Sequence, residues 1–228
     1  VLELYIMMKD KSKIITYSEP SFNNSAALFL KKELLNLSKK KAINIAISGG
    51  QSPLPVYDKL KEFDLIWNKM NFFLVDERCV PNTDKQSNFG NLNNNFFKNI
   101  TSKSFPIIKE GLTLREMATE YERKIKHYLK KENGIPQFDL IILGMGLDGH
   151  TASLFPKTKA LKNNKNLVVV NNVPQLKTKR ITMTYPLLLN SNKIILIAKG
   201  EKKKELLYNI GEKHPISKII PQIYKVIN

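Results

Sequence analysis

Ile43-Asn44-Ile45-Ala46-Ile47 runs straight into Ser48-Gly49-Gly50-Gln51-Ser52-Pro53, and Phe138-Asp139-Leu140-Ile141-Ile142-Leu143 runs straight into Gly144-Met145-Gly146-Leu147-Asp148-Gly149-His150. Each stretch is a short, nearly continuous apolar run that ends in a glycine-rich turn. Apolar residues at successive rather than alternate positions mark a strand covered on both faces, as in a parallel sheet with helices above and below. Asn71–Asp76 (NFFLVD) and Lys193–Ala198 (KIILIA) repeat the pattern, Lys13–Tyr17 reads as a shorter strand, and Leu167–Val170 and Arg180–Thr184 are β-rich. Helical patterns lie between them. Phe22–Leu37 carries Leu28, Leu30, Leu34 and Leu37 as its apolar residues. Ser52 and Pro53 read as an N-cap and first helical residue of a helix reaching about Lys61. Ser87 caps a predicted helix over Asn88–Phe97, Thr113 and Glu116 open one over Thr113–Glu132 with a capping box, and Glu201–Ile210 forms the last. The alternation predicts one α/β domain over residues 1–228, a doubly wound, mostly parallel sheet with helices on both faces. Ligands of such sheets bind beyond the carboxyl ends of strands. Ser48–Ser52, Asp76-Glu77-Arg78 and Gly144–His150 all fall there.

The bulk properties narrow the function. The 228 residues, 42% of them hydrophobic, suffice for a full core. No apolar run approaches the roughly 18 residues of a membrane helix, and no basic flank precedes an apolar stretch at the N-terminus. A cytoplasmic protein without membrane attachment is expected. Cys79 is the only cysteine, which forbids an internal disulfide and fits a reducing compartment, and the three histidines are scattered. Neither a metal site nor a cofactor is expected. The formal charge of +17 invites a nucleic-acid reading. Its cations are nearly all lysine, however, with Arg78, Arg115, Arg123 and Arg180 as the arginines, and asparagine is abundant. Surfaces that read nucleic acid favour arginine. We expect no nucleic-acid partner, and a field that steers an anionic substrate. The start at Val1 without Met fits a trimmed chain or a piece excised from a longer one.

Three turns can carry chemistry. In Ser48–Pro53 the glycines let the backbone approach a ligand, and the helix start that follows favours an anion. The turn lacks the spacing of a Walker loop or a G-x-G-x-x-G fingerprint, which argues against a nucleotide. Gly144–His150 projects an imidazole that can take a proton from water, with Asp148 to orient it or to hold a substrate hydroxyl. Asp76-Glu77-Arg78 offers acid/base work, anion recognition or a surface ion pair. Ser153 lies near His150 without a nucleophile elbow. His127 and His214 read as core or surface residues.

Together these segments resemble the 6-phosphogluconolactonase family, whose fold is related to that of glucosamine-6-phosphate deaminase and the sugar-phosphate isomerases. The resemblance rests on Ser-Gly-Gly-x-x-Pro at 48–53, Asp-Glu-Arg-x-Val-Pro at 76–81, Ser87-Asn88, Gly-Met-Gly-x-Asp-Gly-His-Thr-Ala-Ser-Leu-Phe-Pro at 144–156, Arg-Ile-Thr-Met-Thr at 180–184 and Gly-x-x-Lys at 200–203. It implies a carboxylic-ester hydrolase that opens 6-phospho-D-glucono-1,5-lactone in the oxidative pentose phosphate pathway. His150 would activate water beside Asp148. Ser48, Gly49, Gly50, Arg180 and Lys203 would hold the phosphate, Arg78 would meet the phosphate or the oxyanion, and Asp76 and Asn88 would stand nearby. Fusion to, or cooperation with, glucose-6-phosphate dehydrogenase is a further implication. Leu147 departs from a proline common in the family, and Cys79 from an aromatic. The rival readings are a deaminase or isomerase on the same fold, and a sugar-phosphate sensor without catalysis. The deaminases carry an acidic residue after their histidine, whereas Thr151–Pro156 has none.

Overall fold

A computed structural model describes residues 13–228; the first twelve, including the start at Val1, lie outside the described residues. The apolar runs become β2 (Ile43–Ile47), β3 (Met70–Leu74), β8 (Leu140–Gly144) and β11 (Ile194–Ile197). With β1 (Ile14–Ile15), β5 (Lys103–Phe105) and β12 (Ile223–Ile227) they form a seven-stranded sheet of order β1-β12-β11-β8-β2-β3-β5, every neighbouring pair parallel. All residues of β2, β3 and β11 are buried, so both faces are covered. Each such Ile, Leu or Phe contributes about 1.5–3 kcal/mol by leaving water. From β2 the chain winds outward through β3 to β5, and from β8 it winds the other way to β11 and β12. The order therefore reverses between β2 and β8, in register at Ile45↔Leu140 and Ile47↔Ile142. That reversal is where a doubly wound sheet opens a crevice.

A second sheet departs from the single-sheet expectation. Asn71–Asp76 is not one strand: β3 ends at Leu74, and β4 (Asp76–Arg78) pairs antiparallel with β10 (Thr178–Met183), which pairs in turn with β9 (Val168–Val173). Val75 joins the two sheets. Its N–H donates to Ile47 O at 3.1 Å, and its carbonyl accepts from Met183 N at 2.8 Å.

The helices are α1 (Phe22–Asn36), α2 (Leu54–Leu60), α3 (Asn88–Asn95), α4 (Leu114–Tyr128), α5 (Tyr185–Leu189) and α6 (Glu201–Tyr208). In α1 the buried stripe is Phe22, Ala26, Leu30 and Leu34, four residues apart, whereas Leu28, expected on the apolar face, is 54% exposed and lies off it. The capping box forms at α4: Glu116 N donates to Thr113 Oγ1 at 3.3 Å, and Thr113 N to Glu116 Oε2 at 2.8 Å. The helix stops at Tyr128 rather than Glu132, because Asn133 and Gly134 adopt positive φ and turn a small hairpin of β6 (Lys131–Glu132) and β7 (Ile135–Pro136).

Candidate active site

The turn after β2 is bonded to the end of β8 at the reversal. Ser48 N donates to Ile142 O at 3.0 Å, and Gly144 N donates to Ser48 Oγ at 3.1 Å. Two glycines permit close approaches. A Cβ at Gly49 would lie 2.7 Å from Asn88 Cβ, at the start of α3. A Cβ at Gly146 would lie 2.2 Å from the His150 ring.

Ser48, Gly50, Asp76, Arg78, Asn88, His150, Arg180 and Lys203 line one crevice of about 210 Å³. The two other expected residues stand beside it, Gly49 against Asn88 and Asp148 against His150. Asp148 Oδ1 accepts from His150 Nδ1 at 2.5 Å and from His150 N at 3.2 Å. Burial works against the Asp148 carboxylate, but the bond and charge of His150 outweigh it and hold the group below the usual carboxylate range. An ionised carboxylate only accepts, so Nδ1 carries the hydrogen. In the neutral ring Nε2 is then the basic nitrogen.

Three cations face this base. Arg78 and Arg180 are directly opposite on β4 and β10. Arg78 Nη1 donates to Gln86 O, and Lys203 Nζ donates to Ser52 Oγ at 2.7 Å. Ser52 is thus not the predicted helix cap; Pro53 holds that position and Ser52 receives the lysine. Among the described residues none of the three cations pairs with a carboxylate. Burial lowers the pKa of Lys203. It also lowers that of Arg180, helped by Arg78 and opposed by Asp76 and Glu77. Clustered, partly dehydrated cations without a direct ion pair are suited to receive an anion. The carboxylate on the wall, Asp76, accepts from Ser153 Oγ at 2.5 Å.

The family described as glucosamine-6-phosphate isomerases/6-phosphogluconolactonase matches residues 18–226. The 6-phosphogluconolactonase of Thermotoga maritima is 37% identical over 183 residues, 79% of this chain and 80% of that one. The chain belongs to the 6-phosphogluconolactonase family. Membership makes it an enzyme. The solved 6-phosphogluconolactonase structure from Thermotoga maritima superposes with a TM-score of 0.78 at 30% identity, over 94% of this chain and 96% of that one. The human GDH/6PGL endoplasmic bifunctional protein is 31% identical over 190 residues, which are 78% of this chain but 24% of that protein.

Within this lactonase-family site, some residues carry functions that the sequence did not disclose. Glu77 is neither an acid/base partner of Asp76 nor a surface ion pair. It is fully buried and accepts from the N–H groups of Arg78, Asn88 and Phe89, each at 2.7 Å, and from Ser87 Oγ at 3.1 Å. Burial raises its pKa despite those bonds, with a smaller push from Asp76. Glu77 therefore ties the strand bearing Arg78 to the helix bearing Asn88. Phe155 lies beneath the His150 ring. A larger cavity, about 730 Å³, opens beside Leu114 and Val170 among Arg115, Lys157, Lys159 and Lys179. It contains no histidine or carboxylate and none of the expected site residues, so size does not pick out the expected site here. Among the described residues no three His, Cys, Asp or Glu side chains gather as a metal site requires, and no helix is long and apolar enough to cross a membrane.

Proposed function

We propose that this enzyme hydrolyses 6-phospho-D-glucono-1,5-lactone to 6-phosphogluconate, with His150 as the general base and without a metal. The observation that carries the reading is the Asp148–His150 pair beside a crevice that gathers three cations, none of them in an ion pair among the described residues. Nε2 takes a proton from water, and the oxygen adds to the lactone carbonyl. The tetrahedral oxyanion forms beside cationic donors, and its collapse expels the ring oxygen, to which the imidazolium returns the proton. Water suffices as nucleophile because a lactone is an activated ester. The Ser48–Gly50 turn, Arg180 and Lys203 hold the phosphate, Arg78 serves the phosphate or the oxyanion, and Asp76 and Asn88 shape the wall between them. The +17 charge draws the anionic substrate in.

One lactonase domain over residues 1–228 is the arrangement we infer. Likeness to one part of a bifunctional GDH/6PGL protein supports cooperation with the dehydrogenase that makes the lactone, by fusion or by diffusion. The test is lactone consumption by the parent and by His150→Ala, corrected for spontaneous opening. The variant is expected to lose about 10²–10⁴ in turnover. No acceleration by the parent overturns the activity, and parental turnover in His150→Ala overturns the base.

A further inference from the structure

His150 is held from two directions. Asp148 grips the ring at its edge through Nδ1. Phe155 lies against its face, with centroids 4.0 Å apart and planes 24° from parallel. The chain between them reverses tightly. Ala152 adopts φ +48°, a left-handed conformation uncommon outside glycine, and Leu154 N donates to Thr151 O at 3.0 Å. Such a conformation persists only where its surroundings enforce it. Here Ser153 is fastened from three strands, by Thr182 Oγ1 at 3.1 Å, Asp76 Oδ2 at 2.5 Å and Asn171 Nδ2 at 2.8 Å. This network fixes Phe155, itself buried, beneath the imidazole. The guanidinium carbon of Arg180 stands 5.8 Å from the centre of the same ring.

We propose that Phe155 is a positioning residue for the reaction, its ring face setting the plane of the His150 imidazole and linking the base to Arg180. The proposal rests on the reading of His150 as base. The ring turns about its Cα–Cβ and Cβ–Cγ bonds, and one bond from Nδ1 to Asp148 leaves coupled motion of the two. Contact across a whole ring face restricts that motion and aims Nε2 at the attacking water. The aromatic face is also electron-rich, so it attracts the ring more strongly once it has become imidazolium. An interaction that strengthens as the proton moves lowers the barrier rather than tightening substrate binding. The loss on removing it therefore falls on kcat.

Phe155→Leu keeps an apolar, if smaller, side chain and removes the π face; Phe155→Tyr keeps the face. On 6-phosphogluconolactone we expect Phe155→Leu to lower kcat about tenfold with KM within about twofold, and Phe155→Tyr to recover most of the loss. In the parent, NMR should find the carbon-bound ring protons of His150 shifted upfield by the neighbouring ring current. In a His150→Ala background Phe155→Leu should cost nothing more. Parental kcat in Phe155→Leu overturns the proposal, as does an equal loss in Phe155→Tyr, or an undiminished loss in the His150→Ala background. Should Phe155→Leu fail to fold, Phe155→Tyr and the parental ring-proton shifts decide, and unshifted protons overturn it. The two readings fail differently. Parental turnover in His150→Ala removes the base itself, whereas a crippled His150→Ala beside an unimpaired Phe155→Leu removes this proposal alone.

Discussion

Lys203 gives the sharpest test of phosphate recognition, because its removal should act in opposite directions on two observables. Lys203→Met keeps the length of the side chain and deletes its charge. The ammonium stands 2.7 Å from Ser52 Oγ on the crevice wall, without a carboxylate. A phosphate oxygen about 4 Å away gains about 4 kcal/mol per charge pair at an effective dielectric of about 20. The crevice is open to water, so we take about 2–4 kcal/mol as the net loss, a factor of about 30 to 1,000 in kcat/KM on the phosphorylated lactone. Plain gluconolactone, which lacks the anion, should change by less than about threefold. Stability should move the other way or stay level, since a partly buried cation with no carboxylate to pair with is a cost to the free fold. Burial lowers the Lys203 pKa, so between its folded and unfolded values the unfolded chain binds the extra proton and stability rises with pH. Lys203→Met should lack that alkaline gain. The assay is the ratio of catalytic efficiencies on the two lactones, with thermal melts across alkaline pH. An unchanged ratio refutes the placement of the phosphate, and so does an equal loss on both lactones.

Gly146→Ala should behave as a His150 lesion, because the new Cβ at 2.2 Å from the ring must displace it; we expect turnover lower by about 10²–10³ with the melting temperature nearly kept, and parental turnover counts against the geometry. Asp148→Asn should lower kcat by about 10²–10⁴ through loss of tautomer control. The depressed pKa of Asp148 means its stabilisation is full above the unfolded carboxylate value and lost as pH falls through the folded one, so acid melts of Asp148→Asn should lack that limb. Glu77→Ala strands four donors, which should cost about 3 kcal/mol or more and lower the melting temperature by about 6–12 °C; a parental melt would refute the anchoring.

Much of this was readable in the chain itself. Continuous apolar runs at Ile43–Ile47 and Phe138–Leu143 disclosed the parallel sheet, since burial on both faces writes directly into composition. The turns that follow them disclosed the crevice, because glycines that allow close backbone approach crowd there with an aspartate and a histidine. The second sheet stayed hidden. Nothing in Asn71–Asp76 marks that pairing changes partner at Val75, and β4 is too short to show a period of its own. β12 was missed as well, and it seats between β1 and β11 through a register formed only in the folded chain. Glu77 looked like chemistry because it is charged beside Arg78; its complete burial is a property of the three-dimensional arrangement. Ser52 looked like a cap because Ser-Pro opens many helices, yet a lysine 151 residues away claims its hydroxyl.

The hand-over at Val75 carries Arg78 out of the large sheet and onto a second one. His150 and its aspartate ride on the loop after β8, whereas Arg78 and Arg180 ride on β4 and β10. On the proposed roles, the small sheet supplies the two arginines of the grip, while the base, the Ser48–Gly50 turn and Lys203 all hang from the large sheet, and Val75 joins the two through its N–H and carbonyl. Sequence drift in the small sheet can reshape what the crevice accepts while leaving the register of the seven strands alone. A designer seeking a lactonase for another acidic sugar therefore has a natural seam to work along: exchange the β9–β10 hairpin, and keep the turn that holds the base.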